Sequence, residues 1–386
     1  MRINPVYISL AGIVAAACVS TAANGLLATF LPVRMRLEGF STPAIGAVVA
    51  CYSVGFLGAC LVMPRIIRVA GHVRCVTGCA VAAALAVLLF PMVISVAAWM
   101  PLRVFSGFCV SGMFICIESW IIDRTPNEIR GQVFGAYVVQ NKLAYGASQF
   151  AIMAIDPSGI GLFLIAAGLF LLCFLPVRRS RATPPTMPDR KIHGLRQVWA
   201  LSPVAVCAAY AGGFINAIST GMSPVYAAAI GFEPALVAWF VIMIQGGNML
   251  SQYPIGRLSD RLDRRIIIAA LCSGATVSVI CFLLTPHSAR TLIMALGFVY
   301  GAVGTTLYPL AIGHVASRVE RQHLVGVNGA MLMVFGIGGI SGPLLATFMM
   351  ENVGPDGMFL TVGILTATLA SFSLWRLRLR PPPVAR

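Results

Sequence analysis

The feature that most constrains this chain is a short charged run, residues 254–265, between two long apolar segments at about 235–253 and 266–284. Each apolar segment is close to the roughly 20 residues needed to cross the hydrocarbon core of a bilayer. The run holds six charged side chains, which must stay in water because charge is expensive in hydrocarbon. The two flanking segments therefore cross a membrane in opposite directions.

The same alternation continues through all 386 residues, of which 59% are hydrophobic and 10% are charged. A soluble domain has about 25% charged residues, so this composition is typical of a membrane protein with many crossings. We expect an all-α membrane protein of twelve transmembrane helices in two pseudo-symmetric six-helix halves. The predicted segments, numbered 1 to 12, lie at about 6–33, 43–63, 75–93, 97–122, 132–155, 159–177, 198–230, 235–253, 266–284, 291–315, 324–350 and 357–375.

A polar stretch rich in Arg and Pro divides the chain near its middle. We expect an N-terminal half at 1–177, a cytoplasmic linker at 178–197, a C-terminal half at 198–376 and a basic cytoplasmic tail at 377–386. An internal repeat supports this division, because Gly107 and Glu118 in segment 4 have the same spacing as Gly297 and Tyr308 in segment 10. Two related halves are typical of secondary transporters, which bind their solute between the halves.

The net charge of +15 could suggest nucleic acid as a partner, but the basic residues are not placed for it. They gather in alternate gaps between apolar segments, which is the positive-inside bias of cytoplasmic loops facing the lipid bilayer. By these spans the far side carries only Arg34, Arg36, Arg103 and Arg290. We therefore predict a multi-pass protein of the bacterial inner (plasma) membrane with both termini in the cytoplasm.

Several other classes of function lack their signatures. The eleven cysteines lie mostly inside apolar segments and form no C-x-x-C pair, so neither disulfides nor a metal site is expected. The chain has no Gly-x-x-x-x-Gly-Lys-Ser/Thr run that would bind ATP, and no cofactor is expected. A membrane-embedded enzyme would cluster catalytic groups, whereas the histidines are scattered, at His72, His193, His287, His314 and His323.

Polar side chains are costly in hydrocarbon, so their distribution indicates which helices face lipid. Segments 3, 6, 9 and 12 contain nothing more polar than Ser, Thr or Cys, and we expect them to face lipid. In the other segments, the polar residues fall on single helical faces. We expect these faces to line a polar path for solute and coupling ion, through Asn24, Arg103, Glu118, Lys142, Tyr145, Gln149, Asn216, Gln245, Asn248 and Tyr308.

Each candidate also has a structural alternative. Glu118 could bind protons or act in gating, because apolar surroundings disfavour a charged carboxylate. It could instead be a structural carboxylate paired near the cytoplasmic surface, since Asp123 lies only about 7.5 Å further along the helix axis. Lys142 could serve the solute path or a buried ion pair, and Arg103 could line the path or extend to the outer interface. Direct pairing of Glu118 with Lys142 is not expected, since their depths differ by about 12 Å. The amides of segments 7 and 8 could bind solute or hold helices together.

Three motifs resemble the Major Facilitator Superfamily. They are the run from Gly256 to Arg265, the Asp123–Pro126–Arg130–Gly131 link, and the Arg-x-x-x-Gly element at Arg103. The resemblance implies a twelve-helix fold that rocks around a central site, acting as a monomer. It also implies gating roles at the ends of the helices, for Asp123, Arg130, Gly256, Asp260, Arg261, Asp263, Arg264 and Arg265.

Two further runs, around Asn24–Ser41 and Glu118–Trp120, are similar to the poorly characterised YcaD-type branch of bacterial facilitators. The chain departs from the superfamily pattern at Arg68, which stands where the second half has Asp260. We therefore expect the cytoplasmic latch to depend on the second-half copy of the motif.

The sequence predicts a secondary transporter that moves a small organic solute by alternating access, coupled to protons. Two cations, Arg103 and Lys142, against one acid, Glu118, favour an anionic or zwitterionic solute. Proton-driven efflux of drugs or toxic compounds is the alternative within transport. A membrane sensor or a membrane-embedded enzyme is the alternative from another class.

Overall fold

The computed structural model describes residues 5–125, 129–179, 195–316, 319 and 324–379, and within these ranges the chain is helical without strands. The first half contains α1 (Pro5–Leu37), α2 (Thr42–Ala70), α3 (His72–Leu89), α4 (Val96–Arg124), α5 (Arg130–Ala154), α6 (Gly161–Leu172) and α7 (Phe174–Arg179). The second half contains α8 (Leu195–Leu201), α9 (Pro203–Ala217), α10 (Ser223–Ala229), α11 (Pro234–Arg261), α12 (Arg264–Leu284), α13 (Arg290–Gly304), α14 (Leu307–Ala316), α15 (Leu324–Val353) and α16 (Gly357–Leu379).

Each of the twelve predicted segments is helical, which confirms the all-α membrane class. In the described ranges, ten stretches are long and apolar enough to cross a membrane. The remaining two segments are α5, whose amides and Lys142 make it more polar, and the shorter pair α6–α7. Segment 10 is divided into α13 and α14, while segment 7 contains α8, α9 and α10, with a π-helical turn at Ile218–Met222.

Capping residues fix where several of these helices begin. The Ser95 hydroxyl accepts a hydrogen bond from the Ala98 backbone N–H at 3.2 Å and caps α4. Ser202 caps α9 in the same way, and Pro203 occupies the first position of that helix, where its missing N–H costs nothing. These caps satisfy backbone donors that the first helical turn leaves unpaired.

Two helices run further than predicted. The sequence placed Arg65 and Arg68 in a loop, but α2 continues to Ala70 and ends at Gly71, whose φ is 79°. Likewise, the charged run at 254–265 is mostly the end of α11, and only two residues separate α11 from α12. Hydropathy marks where a helix leaves the hydrocarbon, whereas its backbone hydrogen bonds continue into water.

The contacts divide the chain into two compact units. One contains Met1–Phe40 and Cys51–Asp189, and the other contains Ser41–Ala50 and Arg190–Arg386. Within the first unit, α1 packs on α5 and α6, and α3 packs on α4. Within the second, α9 packs on α15, α11 on α13, and α12 on α16.

Glycines set a close helix crossing in the first unit, where α2 meets α4. A Cβ atom on Gly55 would overlap the Val104 carbonyl oxygen, and one on Gly107 would overlap the Tyr52 carbonyl oxygen. The absence of side chains at both glycines lets the two backbones touch, which is a common way to pack helices in membranes. This crossing brings Tyr52 of α2 beside the face of α4 that carries Arg103.

The second unit repeats this crossing between α11 and α13. A Cβ atom on Gly247 would overlap the Phe298 carbonyl oxygen, and one on Gly301 would overlap that of Ile244. Gly301 is therefore the counterpart of Gly107. The sequence repeat that aligned Gly107 with Gly297 was wrong by one helical turn, because spacing alone does not show which glycine touches the neighbouring helix.

We predict that Gly55→Ala lowers the melting temperature of the protein in detergent, as measured by intrinsic fluorescence. Overpacking costs about 1–3 kcal/mol, which exceeds the helix-propensity gain of up to about 1 kcal/mol. Gly58→Ala is the matched control in the same helix, because its Cβ would meet only a Phe108 ring atom at 3.5 Å. Equal melting temperatures for the two variants would contradict the close crossing.

Candidate functional site

Arg103 lies at the centre of a polar cluster in the first unit. Its side chain projects from the early turns of α4 and is 4% exposed, and its guanidinium carbon lies 4.7 Å from the centre of the Tyr52 ring. Among the residues that the structure describes, the buried Nε and Nη1 atoms have no hydrogen-bond partner. The guanidinium is therefore buried and is not exposed at the end of α4.

The charge of Arg103 is incompletely compensated. A buried charge loses several kcal/mol of hydration, whereas a desolvated cation–π contact returns about 2 kcal/mol. No carboxylate in the described ranges forms an ion pair with Arg103, and its titratable neighbours Tyr52, Tyr145 and Cys51 are neutral near pH 7. This imbalance distinguishes Arg103 from Arg34, which is also buried but pairs with Glu38.

Further buried polar groups lie beside Tyr52 and Tyr145, the two tyrosines that neighbour Arg103. Tyr52 has Asn24 and Ser111 as polar neighbours, while Tyr145 has Thr29 and Arg103. The unsatisfied atoms of this group, in the described part of the unit, are Asn24 Oδ1, Thr29 Oγ1, Ser111 Oγ and the Tyr145 hydroxyl. Buried polar groups in native proteins are almost always paired, so the cluster is suited to a polar ligand or water. We refer to Asn24, Thr29, Tyr52, Arg103, Ser111 and Tyr145 as the Arg103 cluster.

A hydrogen-bonded chain around Glu118 connects α4, α5 and α1. The Tyr137 hydroxyl donates to Glu118 Oε1 at 3.3 Å, and the Asn141 amide donates to the Tyr137 carbonyl at 3.0 Å. The Thr21 hydroxyl then donates to Asn141 Oδ1 at 2.6 Å. Glu118 is half-buried, and in the described residues it makes no ion pair, so Tyr137 is its hydrogen-bond donor.

The other predicted residues of α5 differ in their surroundings. Gln149 is fully buried, and its amide nitrogen donates to the carbonyl oxygens of Tyr145 and Gly25, so part of its role is to hold α5 on α1. Lys142 is half-buried and follows Asn141. No ion pair joins Lys142 to Glu118 in the described ranges, and Asp123 pairs instead with Arg124 at 3.4 Å.

In the second unit, the predicted amides lie beside a break in a helix. The Asn248 amide donates to the Thr305 hydroxyl, and Gln252 donates to Asn248 Oδ1 at 3.1 Å. Thr305 and Thr306 lie between α13 and α14, and their hydroxyls donate to carbonyls of the last turn of α13. Asn248 therefore stabilises an interrupted helix, an arrangement that transporters often place at solute sites.

The remaining predicted residues are spread over the second unit. Asn216 is half-buried at the end of α9, next to the π-helical turn, and Gln245 is buried on α11. Tyr308 lies at the start of α14, with its ring 4.8 Å from that of Phe335. Sequence reasoning missed the break before Tyr308, for which Gly304 followed by Thr305 and Thr306 was the available signal.

Sequence reasoning also missed Tyr52, Tyr137, Thr21 and Asn141. Each lies on a different helix from the charged residue that it supports. Tyr52 could have been found because it lies three residues before Gly55, on the same face of α2 that approaches α4.

The predicted gating residues lie at helix ends. Asp263 caps α12: it accepts a hydrogen bond from the Arg265 backbone N–H at 2.9 Å and pairs with the Arg265 side chain at 2.7 Å. The Arg264 side chain donates to the Gly313 carbonyl in α14. Through Arg264, the charged run between α11 and α12 therefore holds α14, the helix that follows the break at Thr305–Thr306.

The other predicted gating residues that the structure describes lie near the ends of α11 and α4. Gly256 and Arg261 belong to the last turns of α11. Asp123 is near the end of α4 with a side chain that is 47% exposed. The side chains of Arg130 and Asp260 lie outside the described residues.

We predict a pH-dependent stability contribution from Asp263. Burial acts to raise the pKa of this carboxyl, but the hydrogen bonds and charge of Arg265, with His314 nearby, outweigh burial and lower the pKa. A lowered pKa means that the contribution is present above the unfolded pKa of about 3.9 and is lost as pH falls through the folded pKa. Asp263→Asn keeps a capping side chain and removes the charge.

Melting curves of Asp263→Asn and wild type between pH 7 and pH 3 test this prediction. We expect a loss on the order of 1 kcal/mol at pH 7 that disappears at the acidic end. Asp123→Asn is the control, because an exposed pair contributes little. A stability difference that is independent of pH would show that the charge of Asp263 does not contribute.

Comparisons with known proteins agree with this architecture. A sequence model described as the Major Facilitator Superfamily matches residues 13–292 and 204–386. The "Uncharacterized MFS-type transporter Ent638_1421" of Enterobacter sp. (strain 638) is 23% identical over 388 residues, covering 99% of this chain and 98% of the relative. The "Uncharacterized MFS-type transporter YcaD" of Escherichia coli O7:K1 (strain IAI39 / ExPEC) is 23% identical over 384 residues, with coverages of 99% and 98%.

Two solved structures have the same fold. The nucleoside transporter NupG superimposes with a TM-score of 0.76 at 13% identity, covering 96% of this chain and 99% of that one. A bacterial homologue of the human lysosomal transporter Spinster superimposes with a TM-score of 0.75 at 11% identity, covering 98% of both chains. At these identities the likeness concerns the fold.

Proposed function

The chain belongs to the Major Facilitator Superfamily, and we propose that it is a proton-coupled secondary transporter that moves a small organic solute by alternating access. The family and its structural neighbours are transporters rather than enzymes, which supports membrane transport as the general activity. The proposal adds proton coupling to that activity and places it at Glu118.

The observation that carries the proposal is the environment of Glu118. This carboxylate lies six residues before the end of α4, half-buried and bonded to a neutral hydroxyl, that of Tyr137. A structural carboxylate in such a place usually pairs with a cation, because unpaired charge is costly there. Glu118 has no such partner in the described residues, so neutralisation by a proton is the remaining way to reduce that cost.

These hydrogen bonds allow protonation of Glu118 to affect how α4, α5 and α1 pack together. A protonated Glu118 can donate a hydrogen bond, whereas the ionised form only accepts. The Tyr137 hydroxyl would then accept this hydrogen bond instead of donating it. Tyr137 lies one turn before Asn141 on α5, and the Asn141 side chain bonds to the Tyr137 backbone carbonyl and to the Thr21 hydroxyl of α1. We propose that this change biases the two conformations of the transport cycle, since a ligand shifts an equilibrium only through differential binding.

We also propose how the chain is arranged in the membrane. Two six-helix halves, residues 1–177 and 198–376, would work as a monomer, with 178–197 as a linker and 377–386 as a tail in the cytoplasm. The basic residues at alternate helix ends support this orientation, and relatives from Enterobacter and Escherichia coli support the bacterial inner membrane.

We predict that Glu118→Gln removes a protonation event that can be measured without knowing the solute. Infrared difference spectra of the reconstituted protein between acidic and neutral pH should contain the carbonyl band of a protonated carboxyl group. That band should be absent from Glu118→Gln and present in Glu351→Gln, which removes an exposed carboxylate from α15. In Tyr137→Phe the band should remain at a shifted frequency, because its hydrogen-bond partner is lost.

Vesicles with an imposed pH gradient connect this protonation to transport. Once a solute is found, Glu118→Gln should abolish the part of its uptake that depends on the gradient, whereas Glu351→Gln should retain it. Uptake by Glu118→Gln that still follows the gradient would exclude Glu118 as the coupling site.

A further inference from the structure

We propose that the Arg103 cluster is the binding site for a small planar carboxylate, which makes the transported solute an organic anion. This inference rests on the proposed transport function and names its solute class. It starts from Arg103, whose guanidinium is 4% exposed with two buried nitrogen atoms that lack partners in the described residues.

The charge of the site selects an anion. The guanidinium is the one charged group of the cluster. Its neighbours Tyr52 and Tyr145 are neutral, and so are Asn24 and Ser111 beside Tyr52 and Thr29 beside Tyr145. A single positive charge matches a single carboxylate better than a doubly charged phosphate. A cationic solute would face uncompensated repulsion from Arg103 in a poorly hydrated place.

The hydrogen-bonding groups also match a carboxylate. An ionised carboxylate has about four acceptor positions, and guanidinium N–H groups suit its two oxygens. The hydroxyls of Tyr145 and Ser111, which belong to the cluster, can rotate to supply further donors. The binding of one carboxylate would thus satisfy the two buried nitrogen atoms of Arg103 that the described residues leave without partners.

The rings of the cluster favour a flat solute. The Tyr52 ring already stacks on the guanidinium, and Tyr145 is 7% exposed, with its ring against the α1 backbone at Gly25. A planar carboxylate can stack on a ring of this kind with little loss of conformational freedom, whereas a branched or globular solute offers it no flat face. Benzoate is the simplest probe with this chemistry.

The test compares benzoate with benzamide, its neutral analogue of nearly the same shape, on the purified full-length protein in detergent. Binding is followed by the rise in melting temperature as each compound is titrated to about 50 mM, which is enough to reveal a millimolar site. We expect benzoate to raise the melting temperature and benzamide to leave it unchanged. Equal effects of the two compounds, or no effect of benzoate, would overturn the proposal.

Variants then locate the site. Arg103→Gln should weaken benzoate binding by at least about tenfold, and Arg103→Lys, which keeps the charge without the planar fork, should bind with intermediate affinity. Arg290→Gln is the control, since it removes an exposed arginine at the start of α13. Unchanged binding by Arg103→Gln, or a loss as large in Arg290→Gln, would exclude this site.

The melting temperature measured without benzoate shows whether the Arg103→Gln variant is correctly folded. Because Arg103 is buried without a counter-ion, Arg103→Gln should melt at a temperature equal to or above that of wild type when benzoate is absent. A large drop would mean that Arg103 supports the fold and would count against a ligand role.

The result can be separated from the proton-coupling proposal. Benzoate binding is measured at one pH without a gradient, so it does not depend on coupling through Glu118. If benzoate binds but the infrared band of a protonated carboxyl group is absent, the anion site stands and the role of Glu118 in proton coupling is rejected. If the band is present but benzoate does not bind, only the anion site is rejected.

Discussion

The constraint on which this structure depends is the cost of leaving a polar group unpaired where water is scarce. Helices satisfy the backbone within each segment, and glycines such as Gly55 and Gly107 allow those helices to touch directly. Polar side chains, in contrast, are not supplied with hydrogen-bond partners by the helix itself. In the described residues, most buried atoms without hydrogen bonds belong to α1, α4 and α5, and two of them are nitrogen atoms of Arg103. We propose that a ligand binds there for this reason.

Much of the fold could be predicted from sequence, because hydropathy reports directly on contact with lipid. All twelve segments are helical, and the family assignment agrees with the motifs that suggested it. The ends of the helices were less predictable. Charged residues at 65–70 and 256–261 continue α2 and α11, since helical hydrogen bonding does not stop where hydrocarbon ends. Hydropathy did not reveal the break at Thr305–Thr306, because both residues are uncharged. Their hydroxyls donate to backbone carbonyls of α13, so the end of that helix needs no charged residue to satisfy it.

The candidate site was predictable only one helix at a time. Periodicity placed Arg103 and Glu118 on one face of α4, and both lie in polar surroundings. It did not reveal Tyr52 or Tyr137, because these side chains come from α2 and α5, and helix-to-helix register is set by packing. The error of one turn in aligning Gly107 with Gly297 has the same origin. For Asn248 the amide was recognised, but its bond to Thr305 depends on a break between α13 and α14 that hydropathy alone does not reveal.

The central claim is that the polar groups of α1, α4 and α5 lie on the path that opens to water during transport. Hydroxyl-radical labelling of the wild-type protein in membranes, with mass spectrometry, tests it most directly. Tyr145 and Tyr300 are both buried, at 7% and 0% exposure, but Tyr300 belongs to a packed aromatic core and bonds to Ser219. The account predicts that Tyr145 is labelled and Tyr300 is protected. Equal protection of both tyrosines would contradict it.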